Sequence, residues 1–177
     1  MSTSPIEAAI AEVRARPARI STAPDLFDRI LAVLSGAFLL VVLVALFKGQ
    51  AEWGRVPPVI WAHLLTILVA LVLTPVMLLR RRGDQRHRLL GWVWAASLFG
   101  TAFISLFVKT LNPGHFSYIH LLSILTIVQV PMIVLYARRH DHKRHRQAVR
   151  GMVIGALLVA GFFTLPFGRL IGHWLSS

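Results

Sequence analysis

Five long apolar runs dominate this sequence and restrict the kind of fold it can adopt. They are Ile30–Phe47, Pro58–Leu79, Leu89–Val108, Phe116–Tyr136 and Met152–Leu170. A helix needs about 20 apolar residues to cross a hydrocarbon core about 30 Å thick, and four of the runs lack Asp, Glu, Lys and Arg altogether. The fifth run carries only Arg169, near its far end, where a long side chain reaches the interface. The sequence therefore predicts an all-α integral membrane protein with five transmembrane helices.

These runs divide the chain into three parts. Residues 1–29 form a polar segment that is either a short interfacial helix or a disordered tail. Residues 30–57 supply an anchor helix and an outer loop, and a capping box at Thr22 predicts that this helix begins near Ala23. Residues 58–177 supply a four-helix membrane bundle, and the anchor is expected to pack on its periphery.

The positive charges lie mostly on one side of the predicted membrane. The chain has 19 Lys and Arg against 7 Asp and Glu, a net charge of +12. On one side lie Arg14, Arg16, Arg19, Arg29, Arg80, Arg81, Arg82, Arg86, Arg88, Arg138, Arg139, Lys143, Arg144, Arg146 and Arg150. The other side has only Lys48, Arg55, Lys109 and Arg169. The positive-inside rule then predicts a bacterial inner (cytoplasmic) membrane protein with its N-terminus inside and its C-terminus outside. This asymmetry explains the basic charge through topology and anionic lipid, without a nucleic acid.

Spans two to five contain an internal repeat. The segment HLLTIL beginning at His63 recurs as HLLSIL at His120, an offset of 57 residues. The same offset carries Arg81-Arg82-x-Asp84 onto Arg138-Arg139-x-Asp141. After a one-residue insertion, Arg86-His87-Arg88 matches Arg144-His145-Arg146.

Two parallel helix hairpins, residues 58–110 and 111–173, are therefore expected, related by a pseudo-two-fold axis along the membrane normal. Such an axis places His63 opposite His120 in the outer half of the bundle. His87 and His145 are placed at the inner ends of spans three and five.

An ionisable residue inside a bilayer is costly and is a functional hypothesis by default. Neutral imidazole buries more cheaply than a charge and offers a lone pair to a metal. His63 and His120 are thus predicted to be the axial ligands of a haem iron, and Thr66 and Ser123 are candidates to line that pocket. The alternatives are two structural histidines bonded to backbone or to each other, a non-haem metal, and a quinone contact.

The inner pair allows two interpretations. His87 and His145 are either ligands of a second haem or ordinary interfacial histidines. With a second haem, Arg88 and Arg146 are candidate partners of its propionates, since guanidinium matches carboxylate bidentately. One haem b is expected, and two are compatible with the repeat.

The pairing of histidines on the second and fourth spans, and on the third and fifth, resembles the cytochrome b561 superfamily. That resemblance implies a haem held by His63 and His120, a second held by His87 and His145, and electron transfer across the membrane.

The segment from about Trp61 to Gly172 also resembles a bacterial family of small polytopic membrane proteins, domain of unknown function 2306. The matching features are His63, the His87-Arg88-x-x-Gly91 turn and their second copies. This second resemblance implies a fold and topology but no activity.

Three functions remain open at this point. The first is an electron carrier or small membrane oxidoreductase, served by a quinone or a redox partner protein. The second is a non-catalytic membrane subunit or assembly factor, either a homo-oligomer or part of a larger complex. The third is a small-solute or metal transporter, which the lack of Asp and Glu within the spans disfavours. The absence of Cys excludes iron–sulfur clusters and covalently attached haem.

Overall fold

The computed structural model describes residues 4, 6–7, 23–108, 118–165 and 169–177. Within these ranges the fold is entirely helical. The helices are α1 (Leu26–Lys48), α2 (Pro58–Leu79), α3 (Gln85–Ser105), α4 (Tyr118–Arg138), α5 (His142–Met152), α6 (Ala160–Phe162) and α7 (Leu170–Ser176). A 3₁₀ segment, Gly49–Arg55, extends α1, and a π-helical segment, Val153–Val159, joins α5 to α6. The expectation for residues 1–29 falls mostly outside the described residues.

The first helix begins later than its sequence predicts. Asp25, not Thr22, is the N-cap of α1: its carboxylate accepts the backbone N–H of Asp28 at 2.9 Å, and the Asp28 carboxylate accepts that of Asp25 at 3.0 Å. This reciprocal pair satisfies two of the N–H groups that every helix start leaves without partners. The prediction of a start near Ala23 is therefore wrong by about one turn.

The two hairpin loops have the same construction, as the sequence repeat predicts. Gly83 (φ 91°) and His140 (φ 56°) are equivalent in the repeat, and both adopt the left-handed conformation. The next residue in each loop caps the following helix: Asp84 accepts the N–H of His87 at 2.6 Å, and Asp141 accepts that of Arg144 at 3.0 Å. The repeat thus extends to the backbone conformation of the two turns as well as to the amino-acid sequence.

The helices pack in chain order and close into a ring. Neighbouring pairs are α1 with α2, α2 with α3, α3 with α4, and α4 with α5, and the π-helical segment packs back against α1. The prediction that the first helix packs on the periphery of the bundle is therefore wrong. It buries Ser35, Val42 and Ala45 and occupies the gap between the two hairpins.

Four helical segments are long and apolar enough to cross a membrane: Leu26–Arg55, Pro58–Leu79, Gln85–Ser105 and His120–Arg138. The predicted fifth span, Met152–Leu170, does not form one helix. Its helix begins ten residues earlier, at His142, changes to π-helical hydrogen bonding, and ends at Phe162. The sequence prediction begins this span at Met152, whereas the structure extends the helix back through the charged turns that begin at His142.

The C-terminal helix α7 covers the end of the ring opposite the basic loops. Trp174 is fully buried and donates its indole N–H to Glu52 at 3.0 Å. Its ring lies against Gly49, where any Cβ would overlap it. Lys48 also donates to the carbonyl of Leu175 at 2.6 Å. These contacts fix α7 to the end of α1.

Candidate functional site: a central cavity lined by two histidines

A partly open cavity of about 1080 Å³ lies among the helices of the ring. Ligand pockets in proteins usually measure roughly 300–1,000 Å³, so this space admits a large cofactor. Most of its lining is apolar, contributed by α1 to α4, the π-helical segment and α7. Its polar lining consists of His63, Thr101, Ser105, His120, Ser123, Thr126, Thr164, Arg169 and His173.

The two histidines of the outer pair lie on this one cavity. His63 is on α2 and His120 is on α4, and α3 packs between these two helices. His120 is buried, as are Ser123 and Thr126, which follow it at helical spacing and also line the cavity. The structure therefore brings together the two residues that the repeat relates.

A hydrogen-bond chain from α3 fixes the His63 ring. The Ser105 hydroxyl lies 2.9 Å from His63 Nδ1 and 2.8 Å from the backbone carbonyl of Thr101. The single hydroxyl proton of Ser105 can go to His63 Nδ1 or to the Thr101 carbonyl, so the His63 tautomer decides the direction of this bond. With the proton on His63 Nδ1, that nitrogen donates to Ser105 and the lone pair is on Nε2. A metal-binding imidazole is typically held in this way by its other nitrogen.

Sequence reasoning did not identify Ser105 as the partner of His63. Thr66, considered from spacing alone, donates instead to the carbonyls of Ala62 and His63, both at 3.0 Å, and accepts from Thr101 at 2.8 Å. The sequence feature that could have indicated the partner of His63 is on α3, where small hydroxyl residues recur every four positions. Those residues are Ser97, Thr101 and Ser105.

A cationic side chain also lines the cavity. Arg169 carries a buried Nε–H that has no hydrogen-bond partner among the described residues. Buried donors are almost always satisfied in native proteins. An acidic group on an otherwise apolar occupant would satisfy this one, and guanidinium–carboxylate bonds are among the strongest that proteins form.

The α2–α3 loop, the α4–α5 loop and the start of α1 lie at one end of the ring, which we call the basic end. There a buried carboxylate forms ion pairs with three arginines. Asp28 is fully buried, and it binds Arg82, Arg146 at 2.7 Å and Arg150 at 2.8 Å. Arg146 and Arg150 also bind Asp25, each at 2.6 Å. The cluster ties α1 to both hairpins, and sequence reasoning missed it because the three arginines looked like ordinary topology charges.

The inner histidine pair lies next to this cluster. His145 Nδ1 is 3.0 Å from the carbonyl of Ile133 and must donate to it, whereas His87 Nδ1 is buried without a hydrogen-bond partner among the residues described. The two rings lie within electrostatic reach of each other. His87 is the third residue after its cap and His145 the fourth, a difference of about 100° around the helix.

The two arginines expected near the inner pair have different surroundings. Arg146 already binds Asp25 and Asp28, and Arg88 is exposed. Arg146 nevertheless keeps a buried Nε–H without a hydrogen-bond partner among the described residues. That Arg88 and Arg146 bind a propionate therefore stays a prediction.

The fold and the cavity define the protein as a multi-span helical membrane protein. No family model, curated protein or solved structure matches the chain. Within the described ranges, no group of three or more His, Asp or Glu side chains is arranged to hold a metal ion.

Proposed function

We propose that the protein is an integral membrane b-type haem protein that carries electrons within or across the membrane. The observation that carries this proposal is that His63 and His120, related by the sequence repeat, line one large apolar cavity. His63 and His120 would hold the iron, and Arg169 would bind a propionate. Bound haem b supplies a one-electron iron couple.

The chain's own residues account for the rest of the site. Ser105 orients the His63 ring through its contact with Nδ1, and a haem on Nε2 requires that Nδ1–H donates to Ser105. The apolar lining from Leu71, Leu98 and Leu157, all buried, lowers the local polarity around the two imidazoles. Low polarity and ligand orientation are two of the factors by which a protein tunes such a centre.

The direct test is a reduced-minus-oxidised absorption spectrum of detergent-purified protein from cells with ample haem supply. We expect a sharp alpha band in the wild type that is lost in His63→Ala and in His120→Ala. His142→Ala is the matched control, because this histidine is exposed at the start of α5, and its band should be unchanged. A colourless wild-type protein would overturn the proposal and favour a cofactor-free membrane subunit.

Ser105→Ala tests the orienting role separately. Loss of such a partner typically lowers metal affinity by about 10- to 100-fold. We therefore expect this variant to retain the band when haem is in excess but to lose haem readily to an apo-haem acceptor. A haem retention equal to that of the wild type would show that Ser105 does not support His63.

We also propose that the helical run His142–Phe162 is a fifth crossing, which places the N-terminus inside and the C-terminus outside. At about 1.5 Å per residue the run is roughly 30 Å long, enough for a hydrocarbon core. The chain has no Cys, so single cysteines report topology cleanly. In sealed vesicles, Arg139→Cys and Ser177→Cys should label with an impermeant maleimide from opposite sides. Labelling from the same side would rule out the fifth crossing.

A further inference from the structure

Three buried polar atoms at the basic end have no hydrogen-bond partner within the described part of the chain. They are Arg80 Nε, His87 Nδ1 and Arg146 Nε. A single orphan atom of this kind is uncommon in a native protein, and three in one region point to a missing acceptor.

These atoms belong to side chains on neighbouring elements of the basic end. Arg80 and Arg82 lie within electrostatic reach of His87. Arg82 and Arg146 both bind the same oxygen of Asp28. The three side chains therefore all lie near Arg82: His87 is within its electrostatic reach, as it is within that of Arg80, and Arg146 shares its Asp28 oxygen.

The carboxylates of the basic end are already engaged. Asp84 binds Arg80 at 2.9 Å, Asp141 binds Arg144 at 3.5 Å, and Asp25 and Asp28 share the three arginines of the cluster. Exposed arginines remain in excess nearby, among them Arg81, Arg86 and Arg88. The described carboxylates therefore leave the orphan atoms without an acceptor, and the excess of positive charge around them favours an anion.

We propose that the basic end carries a phosphate-binding site formed by Arg80, His87 and Arg146. A phosphate offers several oxygens to several N–H donors at once, and guanidinium binds it with matched geometry. The site lies at the ends of two candidate membrane spans, at the level where phospholipid headgroups lie. Its phosphate therefore comes from a phospholipid headgroup or from a free phosphate, and the experiment distinguishes these sources.

The test measures binding by native mass spectrometry and thermal unfolding of the purified protein. Phosphatidylglycerol micelles, phosphatidylcholine micelles and inorganic phosphate are added in parallel. We expect phosphatidylglycerol to remain bound through ionisation and to raise the melting temperature more than phosphatidylcholine does. An equal rise with inorganic phosphate alone would assign the site to free phosphate, and no response to any of the three would overturn the proposal.

Variants locate the site. Arg80→Gln should weaken phosphatidylglycerol binding roughly tenfold, the value expected for one lost charge-assisted hydrogen bond. Arg80→Lys keeps the charge beside Asp84 but removes the Nε–H, so it should also weaken binding while folding normally. Arg81→Gln removes an exposed charge from the same loop and should bind as the wild type does. Equal losses in Arg80→Gln and Arg81→Gln would reduce the effect to net charge and refute the site.

Discussion

Replacing Asp28 by Asn should destabilise the protein more than any other single charge removal at the basic end. The carboxylate is fully buried and binds Arg82, Arg146 and Arg150. These three arginine side chains are only 18%, 26% and 21% exposed, so water cannot replace the lost carboxylate. Asparagine preserves the volume and keeps one accepting oxygen, but its NH2 group replaces the other oxygen, so the variant loses the charge and one acceptor.

The size of the effect follows from the uncompensated charge. Removing one partner of a buried ion pair costs about 3–5 kcal/mol. Because asparagine retains some bonding, we expect about 3 kcal/mol, and in a chain of this length 1 kcal/mol shifts the melting temperature by about 2–4 °C. The melting temperature of Asp28→Asn should therefore fall by about 6–12 °C, measured by tryptophan fluorescence in detergent.

Asp84→Asn is the matched control. Asp84 also pairs with an arginine and caps a helix, but its pair with Arg80 is exposed, with side-chain exposures of 45% and 29%. Exposed ion pairs contribute little, and asparagine caps a helix as well as aspartate does. Its melting temperature should not change measurably. If Asp28→Asn and Asp84→Asn have the same melting temperature, the idea that Asp28 is the anchor of the basic end is wrong.

Two further predictions concern the ends of α1. Gly49→Ala places a Cβ into the Trp174 ring. Overpacking costs about 1–3 kcal/mol, so the melting temperature should fall by about 2–12 °C. Gly54→Ala, with open space around it, should leave it unchanged. The Arg150 guanidinium holds the pKa of Asp25 below its usual 3.8, so the stability that Asp25 contributes is complete above that pH and is lost as pH falls through the lowered value. Asp25→Asn should therefore melt with a weaker dependence on pH below about 4 than the wild type, and identical acid profiles would exclude this contribution.

Much of the fold was predictable because hydrophobicity and turn residues act locally. The first four spans follow from apolar length, and the two matching loops follow from Gly83, His140 and their capping aspartates. The start of the fifth helical run was not predictable, because charged turns after Asp141 continue as helix into the apolar segment. Hydropathy alone places that boundary at the change in composition.

The contacts between distant elements could not be predicted from spacing. Asp28 reaches arginines more than fifty positions away in the chain, and Ser105 on α3 supports His63 on α2. The repeat did predict which histidines share the cavity, since symmetry is a property of the sequence itself. It could not place α1, which lies outside the repeat and closes the ring.

The central claim, that His63 and His120 hold one haem between them, is tested most directly by electron paramagnetic resonance of the oxidised protein. The wild type should show a low-spin ferric signal of two imidazole ligands. His120→Ala, reconstituted with haem, should show a high-spin signal because one ligand is lost. A wild type without any ferric haem signal, or a His120→Ala variant that keeps the low-spin signal, would contradict the account.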